Sequence, residues 1–209
     1  MSKIAELSAA VERGRSKLVV GLVQEALDEG NAPISILNAM IDAMGVVGEK
    51  FKNNEIFVPE VLVAARAMNM GTALLKDKLA ESGVKAKGKA CIGTVKGDLH
   101  DIGKNLVKMM MESKGLEVID LGVDVSPELF VQTAKEQNCQ IICCSALLTT
   151  TMVVMSDVVK ELEKNGMRDS VKVMIGGAPV TEAFCKQIGA DAYTPDAASA
   201  ADQAVAFCQ

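Results

Sequence analysis

The chain has 209 residues, enough for one large domain or for two small domains that each bury a core. Its formal net charge is −5, it has no long run of Lys or Arg, and its aromatic residues are one Tyr and five Phe. Nucleic-acid binding is therefore not expected, because such surfaces combine basic patches with aromatic rings that stack on bases.

Neither a membrane nor an oxidising compartment is expected for this chain. Residues 1–6 contain no apolar stretch of the signal-peptide type, and no apolar run approaches the roughly 20 residues that span a bilayer. The six cysteines include no C-x-x-C pair, and Cys91, Cys143 and Cys144 lie in apolar runs where a free thiol behaves as a small hydrophobe. With one histidine, a zinc site of ordinary spacing is not expected either. The pattern predicts a cytoplasmic protein with reduced thiols.

Residues 1–85 are predicted to form a bundle of four short helices, the first domain. Apolar residues recur there at three- and four-residue steps, the spacing typical of amphipathic helices. Gly30 predicts a helix stop, while Pro33 and Pro59 stand where helices are expected to begin. Between these two prolines, residues 51–58 predict a loop.

From residue 89 onward the period changes, which predicts a second domain over 89–209. Short apolar strands alternate with helical stretches, the pattern of an open parallel sheet with helices on both faces. The fold class is therefore α/β, with a helical bundle followed by a five-stranded, Rossmann-like (flavodoxin-like) domain. The predicted strands cover residues 89–95, 116–121, 140–145, 171–175 and 190–193. The predicted helices cover residues 102–114, 127–138, 151–165, 181–187 and 197–208.

The chain's only histidine, His100, lies in the loop after the first predicted strand, and Asp98 lies two residues before it. The carboxyl ends of parallel strands meet at one edge of the sheet, where α/β proteins place their chemistry. A carboxylate beside an imidazole can orient it, although a lone loop histidine is also compatible with a helix cap or a solvated side chain. The other strand ends bring hydroxyls and glycines to the same edge: Ser145, Thr149, Thr150, Thr151, Gly176 and Gly177.

These residues resemble the B12-binding domain of cobalamin-dependent methionine synthase, corrinoid methyl carriers and coenzyme B12-dependent mutases. The resemblance rests on Asp98-x-His100-x-x-Gly103, then Ser145-x-Leu147, then Gly176-Gly177. The continuation Lys104-Asn105 resembles the methyl-transfer branch, and the helical segment resembles the methylcobalamin cap domain. The resemblance covers nearly the whole chain, with no catalytic barrel, which is the layout of small corrinoid proteins of methyltransferase systems.

The resemblance implies a role for each matching residue. It implies that His100 is the lower axial ligand of cobalt in a cobalamin bound base-off/His-on, and that Asp98 and Thr151 form a hydrogen-bond relay behind its imidazole. Met68 and Met70 are candidates for contacts between the cap and the upper corrin face, and residues 81–89 for a hinge. The further cofactor-binding residues that it implies are Asp101, Ile102, Gly103, Ser145, Leu147, Thr149, Gly176, Gly177 and Tyr193.

The function implied is that of a methyl carrier without a complete active site of its own. The cofactor would alternate between methylcob(III)alamin and cob(I)alamin. The implied partners are a substrate-specific corrinoid methyltransferase, a methyltransferase acting on tetrahydrofolate or coenzyme M, and a reductive activase. The donor would be methanol, a methylamine, a quaternary amine or a methoxy-aromatic. Alternatives are a B12-dependent regulatory or light-sensing module, the small subunit of an adenosylcobalamin mutase, and a flavodoxin-like domain with no corrinoid.

Overall fold

The computed structural model describes residues 3–81 and 86–209, so the predicted hinge at 81–89 lies partly outside the described residues. The chain divides into two compact units, which we call the helical unit and the sheet unit. The helical unit comprises residues 1–86 with 113–115, and the sheet unit comprises residues 87–112 with 116–209. Over the described ranges, no helix is both long enough and apolar enough to cross a bilayer.

Residues 3–81 form four helices, as predicted: α1 Lys3–Glu12, α2 Ser16–Asp28, α3 Pro33–Lys52 and α4 Val58–Glu81. Gly30 follows α2 with a φ of 83°, and Pro33 is the first residue of α3. Because α3 continues through Lys52 and α4 begins at Val58, the predicted loop over 51–58 is wrong at both ends and covers only residues 53–57. Pro59 is the second residue of α4, where its missing N–H costs no helical hydrogen bond.

Gly14 separates α1 from α2, a break that the apolar periodicity does not show. Its φ is +65°, and a Cβ on it would lie 2.5 Å from Cγ2 of Val63 on α4, so both its backbone conformation and the close approach require glycine. The interior that these helices enclose is apolar. Met68 belongs to that interior, with 1% of its surface exposed, whereas Met70 is 37% exposed.

Residues 86–209 form the predicted parallel sheet and its helices. The strands are β1 Lys89–Thr94, β2 Glu117–Asp120, β3 Ile141–Ser145, β4 Lys172–Gly176 and β5 Ala192–Tyr193, in the spatial order β2-β1-β3-β4-β5. The helices are α5 Ile102–Ser113, α6 Pro127–Glu136, α7 Val154–Lys164, α8 Glu182–Ile188 and α9 Ala197–Phe207. The predicted Rossmann-like fold is confirmed, and element ends differ from the predicted ones by at most three residues.

The register aligns three strand ends at one level of the sheet. Thr94 of β1 pairs with Ser145 of β3, and Ser145 pairs with Gly176 of β4. After β1 the chain crosses to β2 on one side, and it later returns to β3 on the other side of β1. The order of strands therefore reverses at β1, which is where ligands bind in open α/β sheets. The loop that leaves β1 carries His100.

Candidate functional site

The loop over residues 95–101, which we call the His100 loop, is held by the loops that follow β2 and β3. Val95 donates its N–H to the carbonyl of Ser145 and forms a parallel bridge with Val125. On the β2 side, the amide of Gly97 donates to Asp124 Oδ1 at 2.7 Å, and the amide of Asp124 donates to the carbonyl of Asp98 at 3.0 Å. The position of His100 is therefore set from both sides of the strand that precedes it.

Asp98 is fully buried and accepts hydrogen bonds at both carboxylate oxygens. Oδ2 accepts from the amides of Leu147 and Leu148, at 2.8 and 3.2 Å, and from Thr151 Oγ1 at 2.8 Å. Oδ1 accepts from the His100 amide at 3.1 Å and lies 2.6 Å from His100 Nδ1. Burial opposes ionisation of this carboxyl, but the hydrogen bonds from the His100 side chain, the Leu147 and His100 amides and Thr151 outweigh it and hold the pKa of Asp98 well below its ordinary value.

The imidazole of His100 is held at Nδ1 by Asp98, and about half of the side chain is exposed to solvent. An ionised carboxylate only accepts hydrogen bonds, so the contact with Asp98 Oδ1 assigns the proton to Nδ1. In the neutral ring, Nε2 then carries the lone pair, the form that binds a metal. The side chain of His100 is 51% exposed, and its carbonyl accepts from Thr94 Oγ1 at 2.8 Å. The site presents one oriented nitrogen ligand.

Thr151 lies behind Asp98 and completes a relay of three side chains, His100, Asp98 and Thr151. Only 8% of its surface is exposed. Its hydroxyl lies 2.8 Å from Asp98 Oδ2 and 3.0 Å from the carbonyl of Leu148, and its one proton can serve one of these acceptors at a time. The carboxylate, as the charged acceptor, makes the stronger bond. We call these three side chains the Asp98 relay.

Several other residues predicted at the site have structural contacts of their own. Asp101 precedes α5 and accepts from Asn105 at its carbonyl, 2.8 Å, and at Oδ2, 3.1 Å. Tyr193 pairs with Ile175 and packs against the core of the sheet unit. Ser145 is partly buried in its strand, and Thr149 is exposed. The structure brings none of these into the Asp98 relay, so their roles in cofactor binding stay predictions.

The predicted glycines at the edge differ in what surrounds them. A Cβ on Gly103 or on Gly176 would meet no atom within 4 Å, so the protein leaves open space beside both. Gly177 has a φ of +130°, and a Cβ on it would lie 1.8 Å from the carbonyl oxygen of Ala146. The turn itself therefore requires glycine at position 177, and the implied role of Gly177 in cofactor binding stays a prediction.

Sequence reasoning names Ile102 and Leu147 as cofactor-binding residues but misses the exposed apolar surface to which they belong. Leu99 is 70% exposed and Ile102 is 80% exposed, on the two sides of His100 in the chain. The loops after β2 and β3 add four more exposed apolar side chains: Val123, Leu147, Leu148 and Val153. Helical and strand periodicity say nothing about loops, but apolar residues at strand ends were a signal in the sequence. An exposed apolar surface at the edge that carries an accessible imidazole is typical of a binding site.

The arrangement fits a metal that brings most of its own ligands. Over residues 3–81 and 86–209, no three His, Cys, Asp or Glu side chains come together in a group able to hold a metal ion. His100 supplies one nitrogen, so most ligands of a metal bound there would come from a cofactor or from water. A corrin macrocycle would supply most of the ligands of its own cobalt. The open space beside Gly103 and Gly176 and the exposed apolar surface suit such a flat group.

Comparisons with known proteins agree with this reading of the edge. A family model described as a B12 binding domain matches residues 88–205, and a second one of the same description matches residues 3–76. The chain is 42% identical to dimethylamine corrinoid protein 1 of Methanosarcina acetivorans, over 96% of this chain and 95% of that protein. It is also 42% identical to trimethylamine corrinoid protein 1 of that organism, over 91% and 89% of the two chains.

A solved structure resembles the whole chain. In the methanol:cobalamin methyltransferase complex of Methanosarcina barkeri, the matching chain has a TM-score of 0.88 and 31% identity. The match covers 99% of this chain and 79% of that chain. Likeness at this level of identity and coverage extends beyond the fold to the family.

Proposed function

This chain belongs to the B12-binding corrinoid proteins of methyltransferase systems, and we propose that it carries a methyl group between two methyltransferases. Its cofactor is a cobalt corrinoid. The observation that carries the proposal is the Asp98 relay, which presents one oriented imidazole nitrogen at an apolar edge of the sheet.

In the proposed mode of binding, Nε2 of His100 would ligate the cobalt of a cobalamin held base-off/His-on. When bound, the corrinoid supplies a cobalt centre that takes up a methyl group and gives it to an acceptor. Asp98 keeps the proton on Nδ1 and raises the donor strength of Nε2, the usual effect of a carboxylate behind a ligating imidazole. Thr151 and the amides of Leu147 and Leu148 keep that carboxylate ionised and in place.

The same relay would hold the imidazole in place whether or not Nε2 is bound to a metal. The Asp98 carboxylate lies 2.6 Å from Nδ1, so the ring would keep its orientation when Nε2 is free. A carrier whose metal alternates between two states would need a ligand that can be released and bound again without leaving its position.

The helical unit is proposed to be the methylcobalamin cap, with residues 1–85 as cap and 89–209 as the B12-binding domain. The match of a B12 binding domain model to residues 3–76 supports this assignment. Of the two methionines considered for cap contacts, Met70 is exposed and stays a candidate, whereas Met68 fills the core of its own unit. The cytoplasm is proposed as the compartment, in agreement with six free cysteines.

The proposed partners follow from the carrier role. A substrate-specific methyltransferase loads the carrier, a second one transfers the methyl group to tetrahydrofolate or coenzyme M, and a reductive activase restores carrier that has been oxidised. The relatives named for dimethylamine and for trimethylamine are both 42% identical to this chain, and the similar solved structure comes from a methanol methyltransferase complex. We therefore propose a methylamine or methanol as the methyl donor. In this scheme the chain is a carrier subunit, and the methyltransferases provide the catalytic groups.

The test is an ultraviolet–visible spectrum of the purified chain reconstituted with hydroxocobalamin, beside the His100→Ala variant. We expect the wild type to retain the corrinoid with a His-ligated spectrum and the variant to show a base-off spectrum. The wild type should then be methylated when a methylamine or methanol methyltransferase, its substrate and a reductant are added. Identical spectra in the two chains would refute ligation by His100. Retention of corrinoid without methylation by any of these enzymes would favour the sensor alternative.

A further inference from the structure

Lys104 is a buried cation near the N-terminus of α5, the end of a helix that disfavours positive charge. It lies in the first turn of α5, where the helix dipole disfavours positive charge, and only 2% of its side chain is exposed. Its ammonium donates to Asp120 Oδ1 at 2.6 Å and to Asn105 Oδ1 at 2.7 Å. A buried ion pair is a poor source of stability compared with apolar packing, so a positional role is the better explanation for this lysine.

Asp120 connects Lys104 to the loop that follows β2. Asp120 is the last residue of β2, and its Oδ1 also accepts from the amide of Gly122 at 2.9 Å. Burial opposes ionisation of Asp120, but the hydrogen bonds from Lys104 and Gly122 and the charges of Lys104 and Lys108 lower its pKa. The pair therefore fixes the start of the turn after β2.

The turn after β2 holds the His100 loop through Thr94. The carbonyl of Gly122 accepts from the amide of Thr94 at 3.0 Å, and Thr94 Oγ1 donates to the carbonyl of His100 at 2.8 Å. Thr94 is fully buried. On the other side of the loop, α5 begins at Ile102, two residues after His100. The Lys104–Asp120 pair thus joins the first turn of α5 to the end of β2. These two elements hold the His100 loop from its two sides.

We propose that Lys104 is a positioning residue for His100: by joining the first turn of α5 to the end of β2, it holds the imidazole where Nδ1 meets Asp98. The effect of Lys104 on cobalt ligation rests on the proposed function. The effect of Lys104 on the position of the imidazole does not, and it can be tested in the chain without corrinoid.

Lys108 provides a matched control on the same helix. Its ammonium reaches the other oxygen of the same carboxylate, Asp120 Oδ2, at 3.4 Å, and its side chain is 29% exposed. Lys104→Met and Lys108→Met each remove one cation from Asp120 and keep an unbranched side chain. A third variant, Lys104→Met with Asp120→Asn, removes both charges while keeping an oxygen for the Gly122 amide. It keeps the test available if Lys104→Met alone does not fold.

The first readout uses the corrinoid-free full chain with ¹⁵N-labelled histidine. Since the chain has one histidine, the label reports on His100 alone when no histidine tag is present. In the wild type, nuclear magnetic resonance should show two well-separated ring nitrogens, one protonated at Nδ1 and one with a lone pair at Nε2. We expect this pattern in Lys108→Met and a mixture of tautomers in both chains that carry Lys104→Met. The wild-type pattern in either of those two chains would overturn the proposal.

The second readout uses the same chains reconstituted with hydroxocobalamin and reduced to cob(II)alamin. The ratio of His-on to His-off corrinoid in Lys104→Met should fall about five- to tenfold, somewhat less than for a direct partner of the imidazole. Lys108→Met should keep the wild-type ratio, and an equal fall in both variants would overturn the proposal. If the wild type itself shows no ligation by His100, the proposed function fails, while the tautomer comparison still decides the role of Lys104.

Discussion

The four helices of residues 3–81 bury apolar side chains such as Leu7, Met44 and Met68, and none of their buried side chains is charged. In the sheet unit, by contrast, an aspartate and a lysine are buried within seven residues of each other, at Asp98 and Lys104. The interior of these four helices is thus held by apolar packing, whereas the interior of the sheet unit also contains two buried charged side chains, one of which contacts the imidazole of His100. Substitutions in the two units should therefore have different consequences for His100 even when they cost similar stability.

The largest effect is expected for Asp98→Ala. This change leaves the partly buried amides of Leu147 and Leu148 without their acceptor and frees the imidazole, so the free energy of unfolding should fall by about 3 kcal/mol. The single-tautomer signature of His100 should be lost as well. Urea unfolding of the corrinoid-free chain measures the first effect. Asp101→Ala, at an exposed helix start, is the control and should cost only about 1 kcal/mol.

Met68→Ala tests the other side of the comparison. Removing this fully packed side chain should lower the free energy of unfolding by about 3 kcal/mol through transfer and cavity terms. The ring-nitrogen signals of His100 should stay unchanged, because the site's polar contacts all lie in the sheet unit. Met70→Ala, at an exposed position of the same helix, should cost less than about 1 kcal/mol. A changed tautomer in folded Met68→Ala would break the comparison.

Within the edge of the sheet, Gly177→Ala and Gly176→Ala separate stability from ligand binding. Gly177→Ala forces a Cβ against the Ala146 carbonyl at a positive φ, so a loss of about 2 kcal/mol is expected in urea unfolding. Gly176→Ala meets no protein atom and should change stability by less than about 0.5 kcal/mol. If the open space beside it receives the cofactor, Gly176→Ala should still retain less hydroxocobalamin after gel filtration. Unimpaired retention would remove Gly176 from the binding site.

The smallest effect concerns pH. Asp120 has a lowered pKa in the folded chain, so its contribution to stability is present above the unfolded value, near 3.8, and is lost as pH falls through the folded value. The free energy of unfolding of the wild type, measured in urea, should therefore be higher than that of Asp120→Asn by about 1 kcal/mol, and this difference should stay constant between roughly pH 5 and pH 7. Below about pH 4 the difference should shrink. A difference that grows on acidification would contradict the ion pair with Lys104.

Sequence reasoning reached most of the sheet unit because its signals are local. Alternating strands and helices, and the Ser126-Pro127 start of α6, are visible in short windows of sequence. The break at Gly14 was not visible, because the contact that requires it is with Val63, far along the chain. The buried pair of Lys104 and Asp120 was missed for the same reason.

The residues of the Asp98 relay could not all be predicted from local patterns of sequence. Asp98 and His100 are neighbours in sequence, but Thr151 lies 53 residues from Asp98, and no periodicity joins them. A family resemblance supplied that residue, and the hydrogen bond of 2.8 Å shows its contact with the carboxylate. The amide donors from Leu147 and Leu148 were not predicted, since backbone groups carry no signature in sequence.

The most direct test of the account is electron paramagnetic resonance of the full chain loaded with cob(II)alamin, prepared with ¹⁴N- and with ¹⁵N-histidine and without a histidine tag. The unpaired electron on cobalt couples to the axial nitrogen, and His100 is the only histidine that can contribute one. The account predicts that each cobalt line is a triplet with ¹⁴N-histidine and becomes a doublet with ¹⁵N-histidine. A triplet that persists in the labelled protein would show that the cofactor's own base stays on cobalt, and would contradict ligation by His100.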